Sequence, residues 1–134
     1  MVTASFSGLA SWPDDQPRVE FSTPRGILDL HNNAKIERVD FAPGSAVLSI
    51  AFRYAENWRE VDTKGRPVVL EFRGVRHLRM QQAADYDPRA ADSLEGVVHR
   101  TENGVSRFEV DMGDITCSLL AEALVLHDDA AGTG

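Results

Sequence analysis

The chain has 134 residues, 43% of them hydrophobic and 26% charged, a balance that fits one folded domain and excludes a disordered chain. Its one cysteine, Cys117, excludes an intramolecular disulfide framework. With 14 Lys+Arg against 21 Asp+Glu the net charge is −7, and no segment supplies the basic stripe that nucleic-acid binding requires, so no nucleic-acid partner is expected.

Residues 1–16 mix Ser, Ala, Gly and Pro around Trp12-Pro13-Asp14-Asp15. They read as an irregular N-terminal arm with one short strand about Phe6, because Pro13 and Pro17 oppose regular structure between them. The first residues have neither a positive n-region nor a long apolar h-region, and no apolar run nears the roughly 20 residues of a membrane helix. A soluble, cytoplasmic protein without membrane contact is the expectation. Residues 17–127 read as a β domain, and the small polar stretch 128–134 as a disordered tail.

Within the β domain, Arg18 to Ser22 alternates around Val19 and Phe21 and stops at Pro24. In residues 35–41, Val39 and Phe41 share a face while Ile36 falls out of phase, which predicts a bulge. Pro43-Gly44 then has the residue types of a type II turn. Residues 47–54 give the clearest strand, with Leu48, Ile50, Phe52 and Tyr54 on one face. Residues 57–67 are a polar connection containing Trp58 and Lys64-Gly65. A strand resumes with Val68, Leu70 and Phe72 on one face, bends at Gly74, and continues through Leu78 and Met80.

Residues 81–93, with Pro88 and three aspartates, predict a long surface loop. Asn103-Gly104 meets the demand of a type I′ turn for two residues with φ > 0, so the flanking runs form a hairpin. Leu94, Gly96 and Val98 are placed on one face of its first strand, and Phe108, Val110 and Met112 on one face of its second. Residues 115–127 read as a bent final strand, or two strands broken near Ala121. Seven to eight short strands without a long helix predict an all-β fold: a single-domain antiparallel β-sandwich or open barrel. Ile50, Phe52, Leu70, Phe72, Phe108 and Val110 are the expected core, and Phe41 is counted among the packing residues.

Chemistry-bearing motifs are missing. The four histidines, His31, His77, His99 and His127, stand dozens of residues apart and read as surface or strand-edge residues, so no metal is expected. Cys117 lies on an apolar stripe with Ile115 and Leu119 and is expected to be buried and inert. Asp85-Tyr86-Asp87 starts like a calcium loop but lacks the following glycine and the closing bidentate Glu. No nucleophile elbow or glycine-rich phosphate cradle occurs. A non-enzyme without cofactor is the expectation.

Trp12 and Trp58 fall in irregular segments beside charged residues. Such an aromatic either anchors a partner or folds back to cap one end of the β structure, and capping is the favoured reading. Two connections exceed hairpin length: residues 57–67, carrying Trp58 and Arg59, and residues 81–93, carrying Asp85, Tyr86 and Asp87. Each sets a large aromatic beside charge, the anchor-and-rim pattern of interfaces, so these five residues are the candidate binding surface.

The run His31-Asn32-Asn33-Ala34-Lys35-Ile36 precedes one hairpin, and Val69-Leu70-Glu71-Phe72-Arg73-Gly74-Val75-Arg76-His77-Leu78 precedes the next. This order resembles a loose group of small bacterial β domains, uncharacterised or assigned as toxin-immunity proteins. They carry a His-Asp/Asn-Ala-x-Ile start and a Leu-x-Phe-x-Gly-Val-x-x-Leu strand. The resemblance spans residues 31–126, and the chain departs from it by an additional Asn before Ala34 and an enlarged loop over 81–93. It implies a binding domain rather than an enzyme and carries over no catalytic residue. The leading expectation is therefore an immunity-type domain that holds a protein partner through an acidic face and its loops. The alternative is a small-ligand binder or enzyme with a His/carboxylate site at one end of the β structure, where His31, His77 and Asp114 lie near turns.

Overall fold

The computed structural model describes residues 4–12, 15–90 and 92–128. The Pro13 and Ala91 positions and most of the tail expected at 128–134 lie outside them. Five strands form one sheet in the order β1-β11-β6-β5-β4: β1 (Ser5–Ser7), β4 (Ala34–Ala42), β5 (Val47–Tyr54), β6 (Arg66–Arg73) and β11 (Ala123–Asp128). Four form a second, in the order β7-β10-β9-β8: β7 (Arg76–Gln82), β8 (Gly96–Glu102), β9 (Val105–Asp111) and β10 (Ile115–Leu120). A small hairpin pairs β2 (Glu20–Thr23) with β3 (Gly26–Asp29). One four-residue helix, α1 (Val61–Lys64), follows a 3-10 turn at Trp58–Glu60.

Period-2 patterning places the core. In β5, Leu48, Ile50, Phe52 and Tyr54 are buried and the residues between them are not. Val68, Leu70 and Phe72 of β6 do the same, and Leu124 and Leu126 of β11 complete the inner face. The second sheet contributes Val97, Phe108, Val110, Cys117 and Leu119 to the same cluster. Phe72 meets Phe108 edge-on with ring centroids 5.2 Å apart, so the two sheets share one core. All six expected core residues are buried there.

The final apolar run does break at Ala121-Glu122, and its halves belong to different sheets: β10 pairs with β9 and β7, β11 with β6. The expected bulge is present, as a register shift between Ile36 and Arg38. The short strand at Phe6 is β1, which runs parallel to β11 and closes that edge of the larger sheet. Asn103 (φ 54°) and Gly104 (φ 78°) make the expected I′ turn.

Several expectations are corrected. Eleven strands are present among the described residues rather than seven or eight, because turns at Gly74 and Ala121 divide runs that read as continuous and because β2–β3 forms a further hairpin. Pro43-Gly44 does not form the expected type II turn: the left-handed residue is Ala46 (φ 56°), not Gly44. A four-residue loop separates the paired Ala42 and Val47, and Val75 N–H donates to the Ala46 carbonyl at 2.9 Å. Phe41 is not a core residue. It shares a pair with Leu48 but sits on β4, the terminal strand of its sheet, and stays 39% exposed. The connection 57–67 contains α1, whose Val61 is buried. In β8 the inward residues are Val97 and His99, not Val98.

Among the described residues, no helix is long and apolar enough to cross a membrane.

Candidate functional site

Trp58 opens the 3-10 turn, which begins because the Asn57 side chain accepts the Arg59 N–H at 3.0 Å. It is 62% exposed, with the Arg59 guanidinium 5.3 Å from its ring centroid. The following helix is tied to the sheet by Lys35, whose ammonium reaches Asp62 at 3.0 Å and holds that carboxyl below its ordinary pKa. Tyr86 is 37% exposed, and Asp85 is exposed beside it. Asp87 donates its N–H to Asp114 Oδ2 at 2.9 Å and accepts the Arg89 N–H at 3.0 Å, so this loop is shaped by its own aspartates. Among the described residues, no hydrogen bond, ion pair or ring contact joins Trp58 or Arg59 to Asp85, Tyr86 or Asp87. Trp12, by contrast, is folded in: it is 4% exposed and packs edge-on against Phe6 and Phe21.

The histidines do not assemble. His31 Nδ1 lies 2.8 Å from the Leu94 carbonyl and 3.8 Å from Glu95. His127 pairs with Glu71 at 3.2 Å, and His77 is exposed. Among the described residues, no three His, Cys, Asp or Glu side chains are grouped to hold a metal. Burial pushes the Cys117 thiol up to about 11, which leaves little thiolate for nucleophilic work.

His99 is the exception, and its expected place at the surface is corrected. It is 5% exposed, stacked on Phe108 with ring centroids 4.8 Å apart. Its Nδ1 faces the Trp12 carbonyl at 2.9 Å; a carbonyl only accepts, so Nδ1 carries a proton. Its Nε2 lies 2.9 Å from Ser106 Oγ, which also accepts the Ala4 N–H at 2.8 Å. A Ser–His pair at this distance has the geometry of an activated nucleophile. Ser106 is wholly buried, however, and the pair instead clasps the N-terminal segment to the second sheet.

A large concavity stands apart from these groups. It occupies about 880 Å³ on the outer face of the four-stranded sheet, where side chains alternate with those facing the core. Across the strands, register aligns Arg79, Ser118, Glu109 and Val98 in one row, and Arg76, Leu120, Arg107 and Arg100 in the next. A bulge in the β7–β10 pairing, with His77 at φ 54°, marks the rim. Pro17 walls the opposite end, held there by reciprocal Arg18–Val97 backbone bonds of 3.0 and 2.9 Å. Gly96 permits that approach, since a Cβ there would stand 2.7 Å from Pro17 Cβ.

No protein-family model matches the chain, and no curated protein matches it. Among solved structures it is similar to an uncharacterized protein from Neisseria gonorrhoeae, at 14% identity and a TM-score of 0.47, over 72% of this chain and 92% of that one.

None of the five residues expected to bind a partner lines the concavity, whereas His77 of the alternative His/carboxylate site does. The basic run over residues 73–79 was its visible signal in the sequence, since Arg79 and His77 belong to it.

Proposed function

We propose that this chain is a non-enzymatic binding domain, a two-layer β-sandwich of immunity type that holds a protein partner through Trp58 and its neighbours. One observation carries the reading: a tryptophan 62% exposed on a turn that Asn57 caps, with an arginine laid over its ring. Burying such a side chain against a partner removes a large apolar area from water, and the capped turn limits the ordering entropy lost on binding. Trp and Arg are the side chains most often found as interface anchors. The net charge of −7 suits a basic partner through electrostatic steering. Asp85, Tyr86 and Asp87 form a second, separate patch of the same kind.

The test is affinity capture from the source lysate with wild type and a Trp58→Ala, Tyr86→Ala double variant, with captured proteins quantified. A stoichiometric protein held by wild type and lost from the folded variant supports the reading. Retention of every captured partner by the folded variant overturns it.

A further inference from the structure

We infer that the concave outer face of the four-stranded sheet is a binding site for a small organic oxyanion, a carboxylate or phosphate carried on an apolar body. This goes beyond the partner surface at Trp58 and does not depend on it.

The argument is one of unmatched charge. Two guanidinium groups of the concavity lack a carboxylate partner: among the described residues, neither the Arg79 nor the Arg107 side chain has a hydrogen bond or ion pair, and Arg107 Nε is shielded from solvent without meeting an acceptor. Of the carboxylates in the lining, Glu109 is paired with Arg100 at 3.2 Å, Asp111 accepts the Gly113 N–H at 2.9 Å, and Glu95 lies 3.8 Å from His31. A sheltered guanidinium donor left without an acceptor is costly, and a carboxylate or phosphate satisfies it in bidentate fashion.

Size and lining set the rest of the ligand. About 880 Å³ is the scale of sites for drug-sized molecules, far more than an inorganic ion fills. Val98 and Leu120 offer apolar contact within the same face, and Ser118 adds a hydroxyl between Arg79 and Glu109 in the register.

The test uses the full chain and three probes of one shape: 1-naphthoate, 1-naphthyl phosphate and uncharged 1-naphthamide, titrated with NMR observation of backbone amide and arginine Nε–H signals. Saturable shifts at Arg79, Arg107 and Ser118 are expected from at least one anion, and the stronger of the two identifies the headgroup. Naphthamide should bind more weakly, and Arg107→Gln should weaken the anion by about tenfold or more. Arg38→Gln, on the edge strand of the other sheet, should leave binding unchanged. Should Arg107→Gln fail to fold, Arg79→Gln and titration of wild type in about 0.5 M salt decide instead, with weaker anion binding expected in both. Absence of saturable shifts with either anion overturns the proposal. So does equal binding of the amide, or anion affinity indifferent to both the arginine substitutions and salt.

Discussion

His99 and Ser106 lie diagonally across the β8–β9 hairpin on its inner face, with Nε2 and Oγ 2.9 Å apart. Through them two segments far away in sequence are secured: the Ala4 N–H ends on Ser106, and the Trp12 carbonyl ends on His99. Ser106→Ala should therefore remove the acceptor of the Ala4 N–H and the partner of His99 Nε2, at a cost of about 1–3 kcal/mol. Urea unfolding measures that loss, and amide exchange at Ala4 should accelerate with it. An unchanged urea midpoint would show that the clasp contributes nothing.

Phe72 contributes to both sheets at once, lying fully buried in β6 with its ring against Phe108. Phe72→Ala should destabilise the fold by about 3–5 kcal/mol through lost transfer energy and the cavity left behind. Chemical denaturation checks this, and a cost under about 1 kcal/mol would mean that the two sheets close over the gap.

Cys117 is buried between the sheets, and desolvation raises its thiol to about 11. A thiol reagent at neutral pH should leave the native protein unmodified for as long as it stays folded, and should label it fully in urea. Rapid native labelling would place the thiol at the surface.

Glu71 and Asp29 predict the direction of acid sensitivity. The Arg73 hydrogen bond holds the Glu71 carboxyl below its ordinary value against the opposing effect of burial. At Asp29 burial pulls upward, but the Asn32 and His31 N–H groups outweigh it and the net shift is downward. A carboxyl lowered by folding adds stability above its unfolded value, and that stability is lost as pH falls through the folded one. Urea midpoints should be flat near neutrality with respect to these groups and fall below about pH 4. Glu71→Gln should make the acid limb shallower; an unaltered limb would remove Glu71 from the account.

Ala46 occupies the left-handed region at φ 56° in the loop between β4 and β5. Ala46→Gly relieves that strain, worth about 1–2 kcal/mol, against roughly 0.5–1 kcal/mol of added unfolded-chain entropy. Thermal unfolding should show a variant at least as stable as wild type.

By itself the sequence determined the strands whose alternation is strict and the turn whose chemistry is singular. Leu48 to Tyr54 could bury only one face, and Asn103-Gly104 could adopt two positive φ angles more readily than any other pair in the chain. That turn also fixes the register of the strands it joins. It sets Val97 opposite Val110 and His99 opposite Phe108, and directly opposed residues share a face. With Phe108 and Val110 inward, His99 had to be inward too. Val98, by contrast, stands opposite Glu109 and faces outward with it.

Only the tertiary structure decided what joins distant segments. Whether β4 lay at an edge, and so left Phe41 partly in water, depended on strand order, which short-range pattern does not encode. The parallel pairing of β1 with β11 links residues more than a hundred positions apart through backbone groups common to every residue type. Trp12 was sealed in and Trp58 left out, although both stood in polar, irregular sequence. The concavity holding Arg79 and Arg107 exists because β10 brings β7 and β9 to its two sides, an arrangement of register and curvature that the order of residues along any one strand does not record.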